Sequence, residues 1–392
     1  MSLEYVTVTM IGAMSGICLI AISFILTNRP RLPSYGPLTI LLLSILILVA
    51  PSWLAVVRPT YFVVSVGLSL VAFMSLGPLL WLYVDSLTSR IEWHFSLKKL
   101  THFIPAALSL LALLGVFTAP YEDVENMVLL SQVPENGLLK PLVITIWLLL
   151  VLWVPQSIYY LVVTGVRLVR HHKRLKGFFS NTECRELNWL SWLFALVAAF
   201  WGLLVVNFFV DTVFNASLVV KELLILIALL SVWILTLWGL RQKPAFDGQY
   251  LHNAPATEES ETQSKKYSRS SLSKDRASEI VALIKKAIVC EELFLDSDLT
   301  LSDLAESIDT SSHLVSQVLN QHMGTTFFDY VNENRIEAAK VLLAQTTKSA
   351  LDICYEVGFN ARSSFYKAFK QITNTTPAQY RKMRLADALG DE

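Results

Sequence analysis

The sequence predicts an all-α protein in two parts: a seven-helix transmembrane bundle followed by a soluble tandem helix-turn-helix domain. Three observations predict it. The chain of 392 residues is 54% hydrophobic and only 16% charged, with a mean hydropathy of +0.50, too apolar for an ordinary soluble protein. The apolar excess is confined to residues 1–240, whereas 276–392 alternate polar and apolar residues at helical spacing. Between them, 242–275 is rich in Ser, Thr, Glu, Gln and Lys and too poor in large apolar side chains to fold alone. The expected domains are 1–241, a transmembrane sensor or anchor; 242–275, a flexible cytoplasmic linker; and 276–392, the tandem helix-turn-helix.

A helix needs roughly 17–25 apolar residues to cross a hydrocarbon core. Seven runs qualify: 5–26, 38–57, 61–83, 103–119, 142–163, 189–209 and 218–240. The first is a span and not a cleaved leader, because Glu4 stands where a basic segment should be. Loop charge sets the orientation. Arg29 and Arg31 follow the first span, Arg90, Lys98 and Lys99 the third, Arg167, Arg170, Lys173, Arg174, Lys176 and Arg185 the fifth, and Arg241 and Lys243 the seventh. The other side carries Arg58, Asp211 and an acidic loop with Glu122, Asp123, Glu125 and Glu135. By the positive-inside rule the N-terminus is outside and the C-terminal domain cytoplasmic, a multi-pass protein of the bacterial inner membrane.

Polar residues within the spans are candidates for function, since lipid burial is costly for them. Asp85, Asp211, Lys221 and Glu222 lie near span ends, where interface anchoring or packing is expected. Gln156 and Asn207 are more central and either hydrogen-bond between helices or line a ligand cavity; Pro155 is expected to kink its span and free a carbonyl. Gly12 and Gly16 have the spacing of a close helix approach. The run Arg170-His171-His172-Lys173-Arg174 reads as a cytoplasmic anchor on anionic lipid. Cys18, Cys184, Cys290 and Cys354 are scattered and read as reduced packing residues, and no cofactor or metal set is expected.

The tail opens on an amphipathic helix over 277–290, with Ile280, Leu283, Ile284 and Ile288 inward. Thr300, with Asp303 three residues on, caps LSDLAESI; a turn falls at 309–311, and a second helix follows over 312–321. There Leu314, Val315, Val318 and Leu319 form the apolar stripe, and His313, Ser316, Gln317 and Asn320 the solvent face. A helix over 327–344 then forms a strut of roughly 27 Å at 1.5 Å per residue. A second pair follows. Ser349 and Asp352 cap a short helix, Gly358 ends it, Phe359 enters the core, and the next helix places Phe365, Phe369 and Ile372 on one face, with Ser363 and Lys367 opposite and Arg362 at its start. Two such units on a strut of this length suit successive major-groove faces, which recur about every 34 Å.

The run NENRIEAAKVLL, then DICYEVGF, SSFYKAFKQ and TTPAQYR, resembles the signature of the AraC/XylS family of bacterial transcription regulators over about fifty residues, with a weaker match back to Ala277. The resemblance implies sequence-specific binding of double-stranded promoter DNA. It maps base-reading positions onto His313, Ser316 and Gln317 in the first recognition helix and onto Arg362, Ser363, Ser364 and Lys367 in the second. Lys370, Arg381, Lys382 and Arg384 are expected on phosphates. The chain departs from the pattern at Leu319, Gln317, Cys354 and Asn374, the last at a position where glycine is usual. Charge is uneven as well: 276–334 hold 3 basic and 10 acidic residues, 335–392 hold 9 and 6, so the second unit should dominate DNA affinity. The expectation is a membrane-bound transcription regulator, not an enzyme, whose partners are promoter DNA, the lipid bilayer, a second copy of the chain as a homodimer, and a small-molecule or protein stimulus. Two alternatives stay open: a transporter or membrane enzyme with an appended regulatory domain, and a tail that binds protein.

Overall fold

The computed structural model describes residues 2–27, 32–57, 62–89, 93–116, 140–182, 187–214, 221–242 and 274–390. The chain divides into two compact units, one of residues 1–168 with 187–245, the other of 169–186 with 246–392. Among the described residues it is helical throughout, and the only extended pairing is an isolated bridge between Phe179 and Thr300. Several expectations lie outside the described residues: Arg29, Arg31, Arg58, Arg90, Arg185, Cys184, the acidic loop within 117–139 and residues 243–273 of the linker.

The first unit contains α1 (Ser2–Thr27), α2 (Tyr35–Val57), α3 (Phe62–Thr88), α4 (Ile104–Val116, entered through a 3-10 turn Leu97–Phe103), α5 (Lys140–Leu175), α6 (Asn188–Phe214) and α7 (Lys221–Arg241). Among the described residues, six stretches are long and apolar enough to cross a membrane, against the seven expected of the sequence: Val6–Thr27, Tyr35–Leu54, Val64–Thr88, Leu97–Gly115, Lys140–Leu175 and Glu222–Arg241. The described apolar part of α6, Asn188–Leu204, is shorter.

The unit's core is small for its apolar content. Cys18, Leu38, Leu42, Tyr83, Leu87 and Leu190 are buried together, with α2 packed along α3 and α1 along α7. Large apolar side chains face outward instead, among them Ile20 (73% exposed), Trp147 (66%) and Trp192 (72%). Gly12 makes its close approach within the chain, where an added Cβ would stand 3.3 Å from the Trp53 ring, while Gly16 faces open space.

Asp85 is buried at the end of α3, where interface anchoring or packing was expected. Its Oδ1 lies 2.6 Å from Arg167 Nη2, and its Oδ2 accepts from Lys99 Nζ at 2.6 Å and Trp93 Nε1 at 2.7 Å. Arg167 Nε also donates to Thr88 Oγ1 at 2.6 Å. One carboxylate thus joins α3, α5 and the segment before α4, which is packing by charge and hydrogen bonding and not contact with a headgroup.

In the second unit, residues 169–182 accompany α8 (Lys274–Lys285, continued by a π turn Lys286–Cys290), α9 (Leu301–Ser307), α10 (Ser312–Gln321), α11 (Phe327–Gln345), α12 (Ala350–Glu356), α13 (Arg362–Thr373) and α14 (Pro377–Gly390). Two apolar cores share the strut α11. Its first half, Phe327, Tyr330 and Val331, packs with Leu304, Val315 and Leu319; its second half, Ile336, Ala339 and Leu343, packs with Ile353, Phe365 and Phe369. Nineteen residues make the strut roughly 28 Å long at 1.5 Å per residue.

Two helix starts are closed by the residues the sequence indicated: Thr300 with Asp303, and Ser349 with Asp352, form complete capping boxes. Ser311, which the sequence placed only in a turn, caps α10 by accepting from Leu314 N. Thr300→Ala and Ser349→Ala are each expected to lower stability by about 1 kcal/mol, read as a shifted urea midpoint with an unchanged slope.

Left-handed backbone occurs at Glu292, Asp309, Gly324, Gly358 and Asn374, the last two with φ 87° and 59° at the turns of the second helix pair. A Cβ on Gly358 would meet Leu295 O at 2.6 Å and Phe294 O at 2.8 Å, both main-chain atoms. Gly358→Ala is therefore expected to cost about 2 kcal/mol or more, measured by thermal unfolding, whereas Asn374→Gly should be near neutral.

On α13 Phe365 and Phe369 are buried while Ile372 is 38% exposed, because the helix ends a residue later. Two expectations are corrected here. Leu314 is only partly buried. Cys290 lies on the surface, whereas Cys18 and Cys354 are packing residues as expected.

Candidate nucleic-acid interface

The first recognition helix, α10, turns Val315, Val318 and Leu319 into the core and leaves a neutral polar face. His313 and Asn320 are exposed; Ser316 and Gln317 are half-buried. Asn320 Nδ2 donates to Ser316 O at 2.8 Å, and Gln317 Nε2 to Gln321 Oε1 at 3.1 Å. The helix contains no lysine or arginine, and Asp303, Glu306 and Asp309 precede it. This face can hydrogen-bond to base edges or to phosphate oxygens but brings no lysine or arginine charge to them.

The second recognition helix, α13, has the opposite character. Phe365 and Phe369 anchor it through edge-to-face contacts with each other, with Phe359 and with Tyr380. Arg362, Ser363, Lys367 and Lys370 are exposed, and Ser364 is half-buried. The Arg362 guanidinium stacks 4.9 Å from the Tyr366 ring centre, which narrows its rotamers while leaving its donors directed outward. Lys370 occupies the last turn of the helix.

The cations expected on phosphate separate into two groups. Lys370 and Lys382 are exposed. Arg381 is engaged within the fold: Nε donates to Leu343 O at 3.2 Å and Nη2 to Lys348 O, which closes the end of the strut and the turn after it. These carbonyls at a helix end need donors, so Arg381 has a structural part in the fold. Arg384 lies over the Tyr380 ring with Nε donating to its hydroxyl at 3.3 Å.

In the apolar unit, Gln156 ties α5 to α3 by donating Nε2 to Met74 O at 2.9 Å, while its buried Oε1 has no hydrogen-bond partner. One turn on, Tyr160 OH lies 2.8 Å from His102 Nδ1. Asn207 is half-buried on α6.

Arg335, on the strut, went unmarked in the sequence. It is 1% exposed. Nε donates to Phe294 O at 2.7 Å, Nη2 to Asp296 O at 2.6 Å and to Ser180 Oγ at 3.3 Å, and the guanidinium stacks 5.5 Å from the Phe359 ring centre. Burial pulls its pKa down to about 10, with the Asp296 and Asp298 carboxylates pushing the other way, so it stays cationic at neutral pH. The readable signal was its position four residues after Val331 on the buried stripe of α11.

Residues 304–383 match the family described as Helix-turn-helix domain, a stretch running from α9 into α14 and containing both recognition helices. An HTH-type transcriptional regulator of Staphylococcus aureus (strain COL) is 38% identical over 100 residues, 25% of this chain and 13% of that protein. The melibiose operon regulatory protein of Escherichia coli (strain K12) is 34% identical over 88 residues, 22% of this chain and 29% of its own length. The C-terminal region is an AraC-type helix-turn-helix domain. A solved structure of the C-terminal domain of the two-component response regulator yesN from Fusobacterium nucleatum is 36% identical, covering 27% of this chain and 98% of that one, with a TM-score of 0.24. The chain spans only 13% of the first of these relatives, and the likeness lies within the AraC-type domain.

Proposed function

We propose that this chain is a membrane-bound, sequence-specific transcription regulator, with an apolar unit that tethers it to the bacterial inner membrane and senses a stimulus, and an AraC-type domain that reads promoter DNA. One observation carries this reading: an apolar unit whose large side chains face outward is joined in one chain to a domain holding two recognition helices on a common strut. An outward apolar surface of this extent suits a lipid solvent. On this reading α6, 27 residues long, supplies the seventh span, and the basic loops put the AraC-type domain on the cytoplasmic side.

The two recognition helices then divide the labour by charge. Arg362, Ser363, Ser364 and Lys367 read bases with Lys370 and Lys382 on phosphate, while His313, Ser316 and Gln317 add contacts that depend on the second unit's hold. Gln156 is the candidate for sensing within the spans, because its buried acceptor is available to a donor from a ligand. A second copy, tethered in the same bilayer, raises the local concentration of reading heads without any new protein contact.

The test is retention of chromosomal fragments by the full chain in lipid nanodiscs, followed by titration of the enriched fragment at several salt concentrations. The reading predicts a preferred fragment and a steep loss of affinity with salt. Equal retention of random duplex would defeat sequence-specific regulation. A salt-independent preference for a protein partner would support a protein-binding tail, and substrate turnover or uptake by vesicles a transporter or enzyme.

A further inference from the structure

The unexpected member of the DNA-reading unit is the loop that follows α5. Residues 176–182 fold onto the helix-turn-helix pair through main-chain and side-chain bonds. Phe179 pairs antiparallel with Thr300, Ser180 N donates to Leu299 O at 3.2 Å, and Leu301 N donates to Phe178 O at 2.9 Å. Phe328 N donates to Lys176 O at 3.0 Å. Leu301 and Phe328 belong to the first turns of α9 and α11, where main-chain N–H groups have no partner within their own helix. The loop supplies the missing acceptors.

It also reaches the seam between the two reading halves. Ser180 Oγ donates to Leu299 O at 2.7 Å and accepts from Arg335 Nη2, while Arg335 binds Phe294 O and Asp296 O and stacks on Phe359. Phe179 and Ser180 are 2% and 1% exposed, Phe178 packs against the first core, and Lys176 Nζ lies 5.1 Å from the Phe328 ring centre. A surface loop held only by chance would not bury its side chains and satisfy two helix starts and a buried cation together.

We propose that residues 176–180 are a docking strap: the DNA-reading unit carries an interaction surface, formed by Leu299–Leu301, Phe328 and Arg335, whose partner is the chain's own segment between two apolar helices, and through it the apolar unit controls DNA reading. The inference rests on the membrane-regulator reading. Its physical basis is continuity: α5 runs unbroken from Lys140 to Leu175, and the strap begins at the next residue, so a rotation or shift of α5 is delivered to the strap. Release leaves Leu301 N, Phe328 N and the Arg335 fork short of acceptors, which loosens the first reading half against the second.

The experiment uses the full chain in nanodiscs and reads two quantities, amide hydrogen exchange and affinity for the enriched promoter fragment. Phe179→Asp, which forces a buried position to carry charge, and the milder Ser180→Ala are compared with Arg362→Ala. With Phe179→Asp, exchange at Leu301 and Phe328 is expected to accelerate at least about tenfold while Ala339–Leu343 stay protected, and affinity to change by about threefold or more. Ser180→Ala should move both in the same direction by less, and it decides the matter if Phe179→Asp exposes the strut as well. Unchanged exchange at Leu301 and Phe328 would overturn the docking. Accelerated exchange with unchanged affinity, while Arg362→Ala still weakens binding, would overturn the coupling and leave the regulator reading intact. Indifference of DNA binding to Arg362→Ala as well would remove the reading on which the coupling rests.

Discussion

Arg362→Ala is expected to weaken binding to the preferred promoter fragment by roughly 5- to 150-fold, the equivalent of about 1–3 kcal/mol for a lost two-bond guanine contact. The side chain is exposed at the first residue of α13, is held over Tyr366, and keeps its donors outward, so little ordering is needed before it meets a base. Fluorescence anisotropy with the preferred and a scrambled duplex separates its possible uses. Loss on the preferred duplex alone identifies base reading; an equal loss on both assigns Arg362 to phosphate. Lys370→Ala supplies the contrast. It should weaken both duplexes alike and reduce the slope of log affinity against log salt by about one.

Arg335→Met is expected to destabilise the DNA-reading unit by about 3–5 kcal/mol, an appreciable part of the roughly 5–15 kcal/mol that holds a typical domain together. Methionine fills much of the volume, but Phe294 O and Ser180 Oγ lose a donor in a buried place, and Asp296 O one in a partly buried place. Arg335→Lys should recover little, because an ammonium at the end of a flexible chain does not reproduce the planar fork that meets three oxygens and stacks on Phe359. Urea unfolding followed by tryptophan-independent far-ultraviolet circular dichroism would register the loss. A change below about 1 kcal/mol would mean that the carbonyls find other donors.

Much of the reading unit was legible because its information is local. Thr300 with Asp303, Ser349 with Asp352, and glycine or asparagine at 358 and 374 are choices that backbone geometry imposes within a few residues, and they lie where the sequence put them. The shared face of Phe365, Phe369 and Ile372 followed from helical period, whereas the depth of each did not: Ile372, a residue before the end of α13, is 38% exposed. Arg381 and Arg335 were not legible in the same way. A cation's period places it on a face, but whether that face meets solvent, phosphate or a carbonyl depends on segments distant in the chain: Leu343 and Lys348 for one, Phe294, Asp296 and Ser180 for the other.

The apolar unit divides along the same line. Its length and hydropathy sufficed to place helices that can cross a membrane, since a span is a matter of consecutive residues. The partners of Asp85 and Gln156 came only from packing, because Lys99, Trp93, Arg167 and Met74 are brought to them by helices whose pairing no local pattern specifies. The sequence by itself determined an all-helical chain with an apolar half and a tail whose caps, turns and recognition helices are written residue by residue. Only the tertiary structure decided that residues 176–180 fold with that tail and that Arg335 is buried at its seam, because main-chain donors at helix starts accept any well-placed carbonyl, and which one arrives is settled by how the whole unit packs.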